Sequence, residues 1–235
     1  MTKTTLMLLP GLLCDAATYA PQIAAFGDDY DVRVPDLFGL DSINAMAVRV
    51  LETAPGDFVM AGFSMGGRVA LEVMRIAPER VKALAIFDTG VHPRSPGEEV
   101  KRQAVIDVAN NEGMEALAAR WLPPMLLPAN LANEKLVGDL TAMVLRATPA
   151  IHEKQITALL NRPDAAPVLP TIRCPTIVLC GRQDIWSPPE QHEPIAAAIP
   201  GAKLVVAENC GHFLPVEAPE VLNAALRELL EKVAA

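Results

Sequence analysis

The chain of 235 residues is poor in the side chains that build metal, redox and nucleic-acid sites: it has four cysteines, four histidines and only 4% aromatic residues. Cys14, Cys174, Cys180 and Cys210 are scattered, with no close-spaced pair of zinc-ligand or redox type, so the sequence implies no metal and is read as belonging to a reducing cytoplasm. Lys and Arg form no run and the formal net charge is -8, which opposes the electrostatics that nucleic-acid binders need. Neutral or weakly charged small substrates fit better, and an anion would require a few arginines to converge locally. No apolar stretch reaches the length of a membrane-spanning helix. Lys3 followed by Leu6 to Leu13 and Cys14 imitates an export signal. Pro10-Gly11 splits that run and Leu13 is too bulky for a small-residue cleavage site, so export is not expected. Repeats and low-complexity tracts are also missing.

What the chain does have is apolar substance, 51% hydrophobic against 20% charged residues, in an alternating pattern. Strand-like runs are expected at Thr5 to Leu9, Asp31 to Val34, Phe58 to Gly62, Val81 to Phe87, Thr176 to Cys180 and Lys203 to Ala207. Helical periodicity is expected at Ile43 to Thr53, Met65 to Ala77, Pro189 to Ile199 and Pro219 to Val233. Such alternation builds an α/β fold, a mostly parallel sheet with helices on both faces. Between Val91 and Pro170 the alternation fails, and helical pieces are interrupted by Pro123-Pro124, Pro128, Pro149 and Pro163. The expected organisation is a core of residues 1–90 and 171–235, with residues 91–170 inserted as a helical lid.

Gly62-Phe63-Ser64-Met65-Gly66-Gly67 matches G-x-S-x-G and lies between an expected strand and an expected helix, the context that a nucleophile on a sharp turn requires. The glycines allow the helix to return close against the strand. The turn puts Ser64 at the positive end of that helix, with the Met65 N–H directed at a developing oxyanion.

A serine hydroxyl is a weak nucleophile and needs a base, usually a histidine oriented by a carboxylate. His212 follows the run Lys203 to Ala207, within Asn209-Cys210-Gly211-His212-Phe213, at the same sheet edge as Ser64. His92 is a weaker rival, while His152 and His192 lie in helical polar surroundings and are expected at the solvated surface. Asp184, after Thr176 to Cys180, gives the chain order Ser, Asp, His and is the preferred acid. Asp88 is a competitor, its plainer reading being a cap ahead of Thr89-Gly90. The second oxyanion donor is expected in Leu9-Pro10-Gly11-Leu12-Leu13, from the Leu12 N–H in preference to that of Leu13. Candidate pocket residues are Leu12, Leu13, Met65, Trp121, Met125, Leu126, Trp186 and Phe213.

Pro10-Gly11, Gly62 to Gly67, Asp184 and Cys210-Gly211-His212 together make the chain resemble the α/β-hydrolase superfamily of esterases and lactonases. The resemblance covers Leu6 to about Ala85 and Cys174 to the C-terminus. It implies that fold with a shortened N-terminal sheet, since the first strand corresponds to the family's usual third. The family's frequent His-Gly is Pro10-Gly11 here. The implied activity is cleavage of a carboxylic ester or lactone through an acyl-enzyme, without metal or organic cofactor, by a monomer or homodimer. The run Gly62 to Arg68 is also similar to the menaquinone-pathway synthase that eliminates pyruvate with the same triad. There an arginine after the paired glycines helps bind carboxylates and a lid tryptophan lines the pocket; Arg68 and Trp121 match those positions. Perhydrolase chemistry and a ligand-binding protein without turnover are the remaining alternatives on this fold.

Overall fold

The central strands of the fold are uninterrupted apolar runs, because in a parallel sheet covered on both sides neither face of a strand meets water. In the computed structural model, which describes residues 3–54 and 56–234, every residue of β1 (Thr5–Leu9), β3 (Phe58–Phe63) and β5 (Thr176–Gly181) is buried. In β4 (Val81–Phe87) only Lys82 is exposed. The edge strands β2 (Asp31–Arg33), the shortest of the described strands, and β6 (Lys203–Ala207) are mostly half-buried. All strand pairings are parallel, in the order β2-β1-β3-β4-β5-β6. The chain runs outward from β1 to β2 and returns past β1 to β3. The order therefore reverses between β1 and β3, and in open parallel sheets the crevice beyond such a reversal is where ligands bind.

The helices form two groups about the sheet. α1 (Ala20–Phe26) packs on α10 (Pro219–Ala234), which lies along β3, β4 and β5. α2 (Ile43–Thr53) packs on α3 (Met65–Ile76), which contacts β1, β3 and β4, while α8 (Pro189–Ala198) covers β5 and β6. Local chemistry sets their starts: Ser42 Oγ accepts from Ala45 N–H at the head of α2. α1 has no counterpart in the expected elements. It follows a 3-10 turn at Ala16–Tyr19 and carries Pro21 in its first turn, where a missing N–H costs nothing.

Between β4 and β5 the chain builds α4 (Glu98–Glu112), α5 (Met114–Trp121), α6 (Glu134–Val144) and α7 (Pro149–Leu160). The prolines expected to interrupt this segment do not break its α-helices but stand between them or at a helix start. Pro123 and Pro128 open 3-10 turns, and Pro149 follows the Thr148 cap at the start of α7. Two histidines correct the expectation of solvated residues: His152 and His192 are both 0% exposed. Each falls on the core-facing stripe of its helix, with Gln155, Ile156 and Leu159 on α7, and with Ile195 and Ala196 on α8. Among the described residues no helix is long and apolar enough to cross a membrane, and the four cysteines form no disulfide. The expected core spans 1–90 and 171–235 include residues 1, 2, 55 and 235, which lie outside the described residues.

Candidate active site

Among the described residues, four non-glycine positions adopt positive φ, Leu13 (59°), Ser64 (53°), Asp88 (47°) and Asn209 (55°), and they stand just beyond the carboxyl ends of β1, β3, β4 and β6. Such conformations cost about 1–3 kcal/mol each and persist only where the surroundings compensate. At Ser64 the compensation is visible. Its N–H donates to Phe87 O at 3.0 Å, and its carbonyl accepts from Gly67 N–H at 3.0 Å and from the Thr89 hydroxyl at 2.7 Å. The surrounding glycines are steric necessities. A Cβ on Gly62 would lie 2.5 Å from Gly66 O, and one on Gly66 would lie 2.1 Å from Leu9 O.

Across the sheet edge, the Ser64 hydroxyl is 2.9 Å from His212 Nε2, and His212 Nδ1 is 2.7 Å from Asp184 Oδ2. The other Asp184 oxygen accepts from Trp186 N–H at 2.8 Å and Ser187 N–H at 3.0 Å. Burial pushes the Asp184 carboxyl up, but the His212 charge and hydrogen bond, with those two N–H groups, outweigh it and hold it below the ordinary carboxylate range. Asp184 thus stays ionised beside the imidazole, and an ionised acceptor places the proton on Nδ1 and leaves Nε2 open towards Ser64.

Asp88 is fully buried but does not touch His212. Its two oxygens accept from Gly181 N–H at 3.0 Å and Leu214 N–H at 3.2 Å, tying β4 to β5 and to the loop after His212. Burial, reinforced by the Asp184 charge, pushes its carboxyl well up. His92 is likewise not the partner of Ser64; its carbonyl accepts from Arg68 at 2.9 Å and from Arg162 at 3.1 Å. The buried His192 accepts from Thr89 N–H through Nε2 at 3.1 Å and faces Pro188 O through Nδ1 at 3.1 Å. It therefore braces the residue that holds the Ser64 carbonyl.

A cavity of about 300 Å³ opens on Ser64 and His212. Leu12, Met65, Trp121, Met125, Trp186 and Phe213 line it. Leu13 and Leu126 do not. Leu13 is 0% exposed and its N–H is taken by Gln155 Oε1 at 2.9 Å, while Leu126 lies buried outside the cavity wall. Among the described residues, neither the Leu12 N–H nor the Met65 N–H has a hydrogen-bond partner, so both remain free beside the serine. The cavity is also lined by four cations, Arg68, Lys101, Arg102 and Arg162, and by the acids Glu98 and Asp88; of the cations the sequence singled out Arg68 alone. Arg162 pairs with Glu98 at 2.7 Å and Arg102 at 3.2 Å, whereas Arg68 has no carboxylate partner among the described residues. Burial, with repulsion from Arg162, pushes the Arg68 guanidinium down to about 9, so it remains charged at neutral pH.

A parallel sheet with a serine elbow at its order reversal, facing histidine and aspartate from later strand ends, defines a class, and the comparison agrees. The chain belongs to the alpha/beta hydrolase family, whose model matches residues 5–225. The putative carbamate hydrolase RutD of Stutzerimonas stutzeri (strain A1501) is 27% identical over 244 residues, covering 96% of this chain and 91% of that protein. A thermophilic esterase from Thermogutta terrifontis, solved with malate bound, superposes with a TM-score of 0.90 at 30% identity, over 100% of this chain and 92% of that one. The putative 2-succinyl-6-hydroxy-2,4-cyclohexadiene-1-carboxylate synthase of Bacillus subtilis (strain 168) is 24% identical over 184 residues, 74% of this chain and 66% of that protein.

Proposed function

We propose that the chain is a serine hydrolase that cleaves a small carboxylic ester, or a related acyl compound such as a lactone or carbamate, through an acyl-enzyme. The observation that carries the reading is the continuous hydrogen-bonded line from Ser64 through His212 to Asp184, opening on a cavity. His212 Nε2 takes the Ser64 proton as Oγ attacks the carbonyl carbon. The resulting oxyanion is held by the N–H groups of Leu12 and Met65. His212 then passes its proton to the leaving alcohol, and Asp184 stabilises the imidazolium while both events occur. Water attacks the acyl-serine with His212 as base, releasing the acid and restoring Ser64. In this reading residues 91–170 act as the lid, and Trp121 and Met125 shape the acyl pocket.

A second reading is supported by the arginines. Arg68, without an acidic partner and 2.9 Å from the His92 carbonyl, gives one cavity wall positive charge. That wall favours substrates bearing a carboxylate, and the related esterase was solved holding malate, a dicarboxylate. Such a wall also suits the alternative implied by the resemblance to the menaquinone-pathway synthase, elimination of pyruvate by the same triad, and the Bacillus relative is named as a synthase of a cyclohexadiene carboxylate. A panel of neutral esters, carboxylate-bearing hemiesters, lactones and carbamates, run beside an assay for released pyruvate, separates the readings. Ser64-dependent hydrolysis supports the first. Pyruvate release without ester turnover transfers the assignment to the second, and activity in neither assay, with an unreactive Ser64, contradicts both.

A further inference from the structure

Just after His212 the chain makes the single turn α9 (Leu214–Glu217), whose last residue folds back so that the Glu217 N–H donates to Phe213 O at 2.9 Å. This fold-back returns the Glu217 side chain to the loop it has just left. Oε2 accepts from Gly211 N–H at 3.0 Å and Phe213 N–H at 3.2 Å, the residues on either side of His212. Oε1 accepts from Leu127 N–H at 2.7 Å and from the Asn130 amide at 2.8 Å, both in the segment between α5 and α6. Between these contacts, His212 N–H donates to Met125 O at 2.7 Å. The approach is close enough that a Cβ on Gly211 would lie 2.6 Å from Met125 O.

One carboxylate therefore joins the backbone of the histidine loop to the segment that supplies the Met125 wall of the cavity. All four partners are donors, and no Lys or Arg pairs with Glu217 among the described residues. Only a group that accepts through both oxygens meets this demand, which is the property of an ionised carboxylate and not of an amide. We infer that Glu217 is a positioning residue for the reaction: it holds His212 and the cavity wall in one register without touching substrate. The inference rests on the Ser64–His212 reading of the site. Its physical basis is that displacement of a reacting group by about 1 Å costs on the order of a hundredfold in rate.

Glu217→Gln tests it, because the amide keeps the size of the side chain while turning an NH2 towards one of the two donor pairs. In the full chain, with active sites counted by fluorophosphonate titration, kcat per site should fall by about 10- to 100-fold. The downfield proton resonance of the His212 Nδ1–H bond to Asp184 should shift or broaden. A residue that merely stabilises the fold would lower Tm and leave both readouts per titrated site unmoved, and that result overturns the inference. Should Glu217→Gln fail to fold, Asn130→Ala decides: it removes one donor from the distal side, so kcat should drop by about 3- to 10-fold, a modest share of the geometric penalty. An unchanged kcat there overturns the inference. Ser64→Ala separates the two claims. If it retains turnover, the serine-hydrolase reading falls and this inference with it; if it is inactive while Glu217→Gln keeps parental kcat and resonance, only the role of Glu217 is lost.

Discussion

Replacing Asp184 by Asn should disable His212 through its tautomer, and the geometry says how strongly. One Asp184 oxygen accepts from Trp186 and Ser187 N–H groups at 2.8 and 3.0 Å, and the other accepts from His212 Nδ1–H at 2.7 Å. An asparagine oxygen can occupy only one of these places. Placed towards the two backbone donors, it leaves an NH2 against Nδ1, which forces the imidazole proton onto Nε2, where it faces Ser64 and cannot accept a proton. The opposite rotamer preserves the tautomer but turns the NH2 against two buried N–H groups, at about 1–3 kcal/mol each. Even the smallest sum, about 2 kcal/mol, leaves only about 3% of molecules in the productive arrangement. The expected loss in kcat therefore lies between about 30-fold and the roughly ten-thousandfold known for the same substitution in a serine protease. Asp88→Asn should cost less than about tenfold, because it weakens only one of two bonds to Gly181 and Leu214 N–H, remote from Nδ1. The assay is kcat on a small ester for both variants, with folding checked by circular dichroism. Parental activity within tenfold in Asp184→Asn, or a more severe defect in Asp88→Asn, refutes the reasoning.

Three further outcomes are expected. Gly66→Ala should lower stability by about 1–3 kcal/mol or more and cut activity, since the new Cβ would stand 2.1 Å from Leu9 O at the head of the turn carrying Leu12; chemical denaturation measures the first effect. Trp121→Ala removes a ring packed edge-to-face on Phe213 at 6.2 Å, so KM and acyl-chain preference should change while a small fluorophosphonate still labels Ser64. For Glu98, burial acts upwards but the Arg162 hydrogen bonds, the Ser95 N–H and the charges of Arg162 and Arg102 prevail, bringing it from 4.5 down to about 2. Its contribution to stability is then present above pH 4.5 and lost as pH falls towards 2, so Glu98→Gln should flatten the Tm profile across that interval.

The sheet was legible because its strands are continuous apolar runs with abrupt ends. Thr5 to Leu9 stops at Pro10-Gly11, and Phe58 to Gly62 runs into a glycine-flanked serine, so the strand ends and the Ser64 turn are written locally. Asp184 and His212 were singled out by the same logic, as polar residues just past strand ends on one sheet edge, and they lie in hydrogen-bonded line with Ser64. What escaped depends on partners remote in sequence. Nothing near Leu13 announces that its N–H is taken by Gln155, 142 residues away. Nothing in a polar helical stretch says that the stripe bearing His192 faces inward to brace Thr89. Glu217 carried a faint signal, its place five residues after His212 in a proline-led turn, but its meaning lies in Leu127 and Asn130, which a linear reading does not bring near. Arg68 was singled out through the resemblance to the pyruvate-eliminating synthase, but its grouping with Arg102 of α4 and Arg162 just past α7 around Glu98 escaped for the same reason.

Covalent acylation of Ser64, the step on which the proposed hydrolysis rests, is read directly by intact-protein mass spectrometry during turnover of a slow ester. The expected result is a transient mass increase equal to the acyl group, mapped to the peptide containing Ser64 and absent in Ser64→Ala. Steady turnover with no adduct at any quench time, or an adduct that persists in Ser64→Ala, would contradict it.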